Sequence, residues 1–181
     1  KDGGSFDRVV AVCQRDLGVV PLPMSLPFGS GAQLGGVLDL LQQSVITSRT
    51  ESPTFQSMPV PEHARTVLGD ARKRIQEAAA ERDDRLLEQY LAVGELSQDE
   101  LIDGLRLGVQ AGTLVPLYSG SAIKNIGIVP LLNAIVDFLP SPMDRASRAP
   151  LEGLHPSTGE AVSRRAAHED PFSGIVFKTL I

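Results

Sequence analysis

Residues 114–142 read LVPLYSGSAIKNIGIVPLLNAIVDFLPSP, and the order of patterns within them decides the architecture. Residues 115–119 form a short apolar run rich enough in β-formers to predict a buried strand. Gly120, Ser121 and Ala122 follow, a turn of the smallest residues, where a backbone can approach another group closely. Apolar side chains then fall at 128, 129, 131, 132, 135, 136, 138 and 139, the spacing of a helix buried on one broad face. Pro140 and Pro142 stop it. Strand, tight loop and helix make half of a βαβ unit. By pattern alone that unit is an ordinary strand-to-helix turn.

The chain has 181 residues, 42% hydrophobic and 22% charged, a globular composition. No apolar run approaches the roughly 18 residues that a membrane span needs. A net charge of −5 argues against an autonomous nucleic-acid module, because phosphate binding needs clustered positive charge. The single cysteine, Cys13, excludes an internal disulfide and fits a reducing compartment. It falls within a helical pattern and reads as a packed residue.

Residues 6–17 predict a short amphipathic helix capped by Gly18. Prolines at 21, 23 and 27 suit residues 19–27 to an edge or terminal strand, and four glycines make 28–36 a loop. Periodicity leaves 37–47 open between a helix and two short antiparallel strands, the second over 44–48. Residues 49–61 read as loop. From Glu62 a helical pattern runs through Ala79, with Pro61 at its start. Glu81 and Arg85 have the spacing of an i, i+4 ion pair. Asp83 and Asp84 lack partners at metal-ligand spacing and read as a helix cap, opening a second helix that Gly94 ends. Ser97 and Glu100 form a capping box for a third, closed by Gly112. Residues 143–170 read as a connector or a surface hairpin turning at Thr158 and Gly159. His63, His155 and His168 read as surface residues. No internal repeat or heptad run appears.

Residues 119–127, SGSAIKNIG, closely resemble the guanine-contact motif of the translational GTPase elongation factor G, C-G-S-A-hydrophobic-K-N-x-G, and LPSP at 139–142 stands where that family ends its following helix. Ser119 replaces the usual cysteine and Ile126 a common lysine. Residues 77–91, EAAAERDDRLLEQYL, are similar to the family's E-A-V-A-E-x-D-D-E-L-M-E-K-Y-L, and FDRVV at 6–10 to its D-F-x-R-V-V. Phe177, Lys178 and Thr179 match the start of its second domain. The family's G-V-V-D-L-I stretch is strand, which decides 37–47 in favour of strands.

The resemblance implies an α/β fold: the C-terminal part of a P-loop GTPase G domain with an inserted α+β subdomain, followed by the first strand of a β-barrel domain. Residues 1–142 would be late G domain, with the insertion at about 19–113, then a linker over 143–170 and the barrel start over 171–181. Gly120, Ser121 and Ala122 would be the cofactor-binding residues, presenting backbone N–H groups to the guanine carbonyl oxygen. Ala122 would then tolerate added bulk least, and Lys124, outside the pair, would matter less. The intact protein would be a cytoplasmic, monomeric GTPase using GTP/GDP with Mg²⁺. It would couple hydrolysis to tRNA–mRNA translocation and meet the ribosome, including its stalk protein, through a helix such as residues 62–81. No direct nucleic-acid site and no membrane contact are expected of this chain. An elongation factor G-like paralogue acting in ribosome recycling is the alternative within the family. A protein-interaction module without nucleotide is the alternative outside it.

A phosphate loop, G-x-x-x-x-G-K-[ST], holds phosphates with backbone N–H groups and lysine. Here no glycine precedes a lysine, no Asp-x-x-Gly occurs, and neither Asn125 nor Asn133 begins an Asn-Lys-x-Asp. Phosphoryl transfer rests on charge and positioning at the phosphates. The sequence therefore reads as a piece of a longer protein, with no catalytic residue of its own and no activity alone.

Overall fold

In the computed structural model, residues 5–19, 21–48, 55–144, 151–167, 169–172, 174, 178 and 179 are described. They fall into two compact units, 1–139 and 140–181.

The first unit opens on helix α1 (Phe6–Leu17), with Ser5 as N-cap and Gly18 in the left-handed conformation at its end. Strand β1 (Pro21–Pro23) then pairs in parallel with β6 (Val115–Leu117). The proline-rich stretch is thus not one strand but two, because the chain changes sheets at the fully buried Met24. Met24 donates its N–H to Leu117 O (2.9 Å) and accepts from Leu40 N–H (3.1 Å). Strand β2 (Ser25–Phe28) begins an antiparallel meander with β3 (Gly36–Asp39), β4 (Ser44–Ser48) and β5 (Phe55–Pro59), in that spatial order. The expectation of strands over 37–47 holds. Loop over 49–61 is corrected by β5, all five of whose residues are exposed. An edge strand with neither face buried carries no alternation to read.

A 3-10 turn (Glu62–Ala64) leads into α2 (Arg65–Ala80), then α3 (Asp84–Val93) and α4 (Gln98–Gln110). Asp83 caps α3, accepting from Arg85 N–H (3.0 Å) and Leu86 N–H (3.3 Å). The helix therefore breaks between Glu81 and Arg85, and the expected i, i+4 pair does not form. Glu81 pairs with Arg82 (2.9 Å), while Arg85 turns toward Asp83 (4.0 Å) and Glu100 (3.8 Å). Both hydrogen bonds of the Ser97–Glu100 capping box are present. The Glu100 carboxyl is held below its ordinary range first by Ser97 Oγ–H (2.7 Å) and then by Ser97 N–H (3.0 Å), both donating to its Oε2.

The core joins one face of the meander to α2, α3 and α4 through Leu38, Val45, Ile75, Leu86, Leu101 and Leu105. Polar ties fix its rim. Arg72 donates to Leu40 O (2.9 Å) and Leu41 O (3.0 Å), while Asp39 accepts from Leu41 N–H (2.9 Å) and Gln42 N–H (3.0 Å). Burial pushes the Asp39 carboxyl up, and those amides and Arg72 oppose it. Buried Gln76 accepts from Leu96 N–H (2.8 Å), pinning the turn between α3 and α4.

Helix α5 (Ile128–Phe138) follows β6. Only Pro130, Ala134 and Phe138 are buried in it, a narrow stripe where a broad face was expected. Leu131, Leu132, Ile135 and Val136 are exposed among the described residues.

In the second unit β7 (Leu151–Leu154) and β8 (Ala161–Arg164) form an antiparallel hairpin, with Gly159 at positive φ in the turn. That resolves the connector-or-hairpin alternative. The β-barrel strand expected over 171–181 falls largely outside the described residues, as does His168.

Candidate functional site

Strand β6 delivers the chain to Tyr118, whose phenol burial pushes up in pKa with a smaller push from Asp39 and Asp137. Next comes Ser119, half-buried. Its N–H donates to the Oγ of fully buried Ser25 (2.9 Å), and the two hydroxyls lie 3.2 Å apart. A serine here in place of the family's usual cysteine thus has a polar partner, which a half-buried hydroxyl needs.

Gly120 cannot carry a side chain without movement. A Cβ built on it would lie 2.5 Å from Ile126 O. At Gly127, φ is +74° and an added Cβ would run into Ser119 O. Within the chain, then, the steric limits fall on Gly120 and Gly127 rather than on Ala122, which is exposed. A demand on Ala122 would come only from a bound group.

Residues 121–126 form a closed loop. Ser121 N–H donates to Ile126 O (2.9 Å), and Ile126 N–H donates back to Ser121 O (3.0 Å). Inside it Asn125 N–H donates to Ala122 O (3.2 Å) and Lys124 N–H to Ser121 Oγ (3.4 Å). Asn125 sits at φ 53°, a conformation that asparagine tolerates better than most residues. The Ser121 amide is consumed by the bridge. The Ala122 and Ile123 amides have no acceptor among the described residues, and the Ile123 side chain is wholly exposed. Gly120, Ser121 and Ala122 are therefore together, but of the Ser-Ala pair only Ala122 has a backbone donor without an acceptor among the described residues.

A groove of about 900 Å³ runs beside this loop, lined by Gly29, Ala32, Ser119, Gly120, Ser121 and Lys124 among others. A second cleft, about 540 Å³, shares Pro27 and Gly29 with it and extends to Phe28 and His63, whose rings stack at 6.3 Å. No cluster of three or more metal-ligating side chains occurs among the described residues. An unspent backbone amide such as that of Ala122 can donate to a carbonyl oxygen brought within reach. Sequence reading missed Ser25, Ala32 and Ile126, which hold the loop from far along the chain or by burial; nothing periodic marks such contacts.

No protein-family model matches the sequence. The chain is 36% identical over 180 residues, 98% of its length, to Elongation factor G 2 of Syntrophus aciditrophicus (strain SB), of which it covers 26%. Its fold matches a crystal structure of a Thermus thermophilus protein with a TM-score of 0.70 and 28% identity, over 89% of this chain and 25% of that one. The chain thus spans about a quarter of the length of each.

A parallel strand pair, the helices beside it and an inserted α+β subdomain define the later part of a P-loop GTPase-type α/β domain. Within that class the chain is similar over nearly its whole length to about a quarter of an elongation factor G.

Proposed function

We propose that this chain supplies the base-contacting loop of a translational GTPase that couples GTP hydrolysis to tRNA–mRNA translocation on the ribosome. The observation that carries the reading is the Ser121–Ile126 bridge, which spends one amide of the Ser-Ala pair and leaves that of Ala122 without an acceptor among the described residues. Ala122 N–H would donate to the guanine carbonyl oxygen, with Gly120 giving room and Ser121 fixing the turn through its hydroxyl. GTP or GDP with Mg²⁺ would be held at its phosphates by residues that this sequence does not contain, so the chain alone would neither bind nucleotide measurably nor hydrolyse it. On this reading residues 1–142 are late G domain, with an insertion at about 19–113, 143–170 a linker and 171–181 the start of a barrel. The protein would act in the cytoplasm as a monomer and meet the ribosome, including its stalk protein.

The exposed apolar faces of α1 and α5 support the reading independently. No α1 residue is buried, and Val9 and Leu17 are exposed. Apolar helix residues left uncovered are what an interface uses, here one that the rest of a G domain would cover.

Ribosome-stimulated GTP hydrolysis tests the proposal. The full-length protein should turn over GTP with ribosomes present, and the 181-residue chain should not. A full-length protein inert toward GTP on ribosomes would overturn it.

A further inference from the structure

The base-contact loop is not free-standing. It is fastened to the β2–β5 meander at three places. Ser119 N–H is held by Ser25 Oγ on β2 (2.9 Å). Ile126 is buried in a small cluster with Val37 of β3 and Ile46 of β4. Finally, Lys124 Nζ donates to Ala32 O (2.8 Å), across 92 positions of sequence. Ala32 lies in a 3-10 turn (Gly31–Gln33) between β2 and β3.

The first two ties act at the ends of the loop, before Gly120 and at the closing bridge. Only Lys124 reaches out from within it. A lysine free in solvent samples many rotamers, and ordering it on a carbonyl costs entropy that the charged hydrogen bond must offset. Only Ile123 stands between it and the spare amide of Ala122. Between them the backbone has little slack, because Lys124 N–H is on Ser121 Oγ and Asn125 N–H on Ala122 O. Tilting the 31–33 turn would therefore rotate the peptide that carries the Ala122 amide.

We infer that Lys124 is a positioning residue, which aims the Ala122 amide by anchoring the loop to the 31–33 turn of the meander. This rests on the guanine-contact reading above and adds a regulation to it. Because linkage is reciprocal, whatever displaces the 31–33 turn weakens the base contact, and a bound base stiffens the turn.

The test uses the full-length protein with Lys124→Met and Lys124→Arg, the second able to reach the same carbonyl. Two nucleotides are compared, GDP and 2-aminopurine riboside diphosphate, which lacks the ring carbonyl. Lys124→Met should speed GDP release by on the order of three- to tenfold, the size of one weakened hydrogen bond. Lys124→Arg should restore most of it, and release of the 2-aminopurine nucleotide should be the same in all three proteins. GDP release unchanged in Lys124→Met, or both nucleotides accelerated equally, would overturn the inference. Exchange of the Ile126 amide without nucleotide reads the anchor separately. It should quicken in Lys124→Met and recover in Lys124→Arg. If it does so while even the wild type fails to prefer GDP over the 2-aminopurine nucleotide, the anchor stands and the guanine reading falls.

Discussion

Helices α4 and α5 lie against each other, yet the more apolar of the two is the less buried. Helix α4 carries Asp99, Glu100, Asp103 and Arg106, and still fully buries Leu101 and Leu105. Helix α5 has one charged residue, Asp137, but buries only the stripe of Pro130, Ala134 and Phe138, which Arg106 ties down through Asp137 O (2.6 Å). Val136 is 81% exposed and Leu132 55%. Amphipathic pattern reports what a helix is addressed to; burial reports what is present to receive it. For α4 the two agree within this chain. For α5 they part.

The sharpest way to break the comparison stays within α5. Phe138→Ala should lower the chain's stability by about 3–5 kcal/mol, the usual cost of emptying a buried aromatic site. Val136→Ala should change it by less than about 0.5 kcal/mol, as at an exposed site. Urea unfolding of the two variants decides the matter, and equal losses would mean that α5 is covered on both faces.

Smaller effects of opposite sign are expected at two helical glycines. An added Cβ at Gly104 on α4 would lie 2.7 Å from Ala79 O on α2, whereas at Gly69 on α2 it meets nothing. Gly104→Ala should therefore destabilise by ~1–3 kcal/mol through overpacking. Gly69→Ala should stabilise by up to ~1 kcal/mol through helix propensity. Thermal unfolding shifts of the same sign would show that the α2–α4 contact is looser than described.

The smallest effect lies at Asp39, where the buried core meets its polar rim. Its carboxyl is raised by burial, so the folded state holds the proton more tightly than the unfolded one. Stability is then fully present below the ordinary carboxylate range and falls as pH rises through the raised value. Asp39→Asn keeps an oxygen for the Leu41 and Gln42 amides and removes that fall. The stability of Asp39→Asn relative to wild type should therefore increase from about pH 3 to about pH 7. A difference that stays flat would mean that Asp39 ionises without cost where it sits.

Most helices were legible because their signals are local. Ser97 with Glu100, Asp83, and the left-handed Gly18 and Gly94 each announce a helix end within a few residues. The meander was legible only in part. Its inner strands 36–39 and 44–48 needed the family resemblance to separate them from a helix, and β5 gave no signal because none of its side chains is buried. The loop over 119–127 could be located in the sequence, but not its fastenings. Ser25 and Ser119 are tied by a cluster of hydrogen bonds across 94 positions, and Ala32 and Lys124 by one across 92, and chemistry of that kind leaves no period or spacing. The uncovered face of α5 was illegible for a related reason, since a pattern states a preference for burial without saying who satisfies it.

The central claim, that the Ala122 amide contacts a guanine base, is tested most directly by GDP dissociation from the full-length protein carrying Ala122→Val. Ala122 is exposed here, so the substitution should leave folding intact, and a β-branched side chain beside the donor should hold the base off. Loss of about 1 kcal/mol or more of hydrogen bonding predicts GDP release roughly fivefold faster or more. Release at the wild-type rate from a normally folded Ala122→Val protein would contradict the account and leave residues 120–122 an ordinary turn.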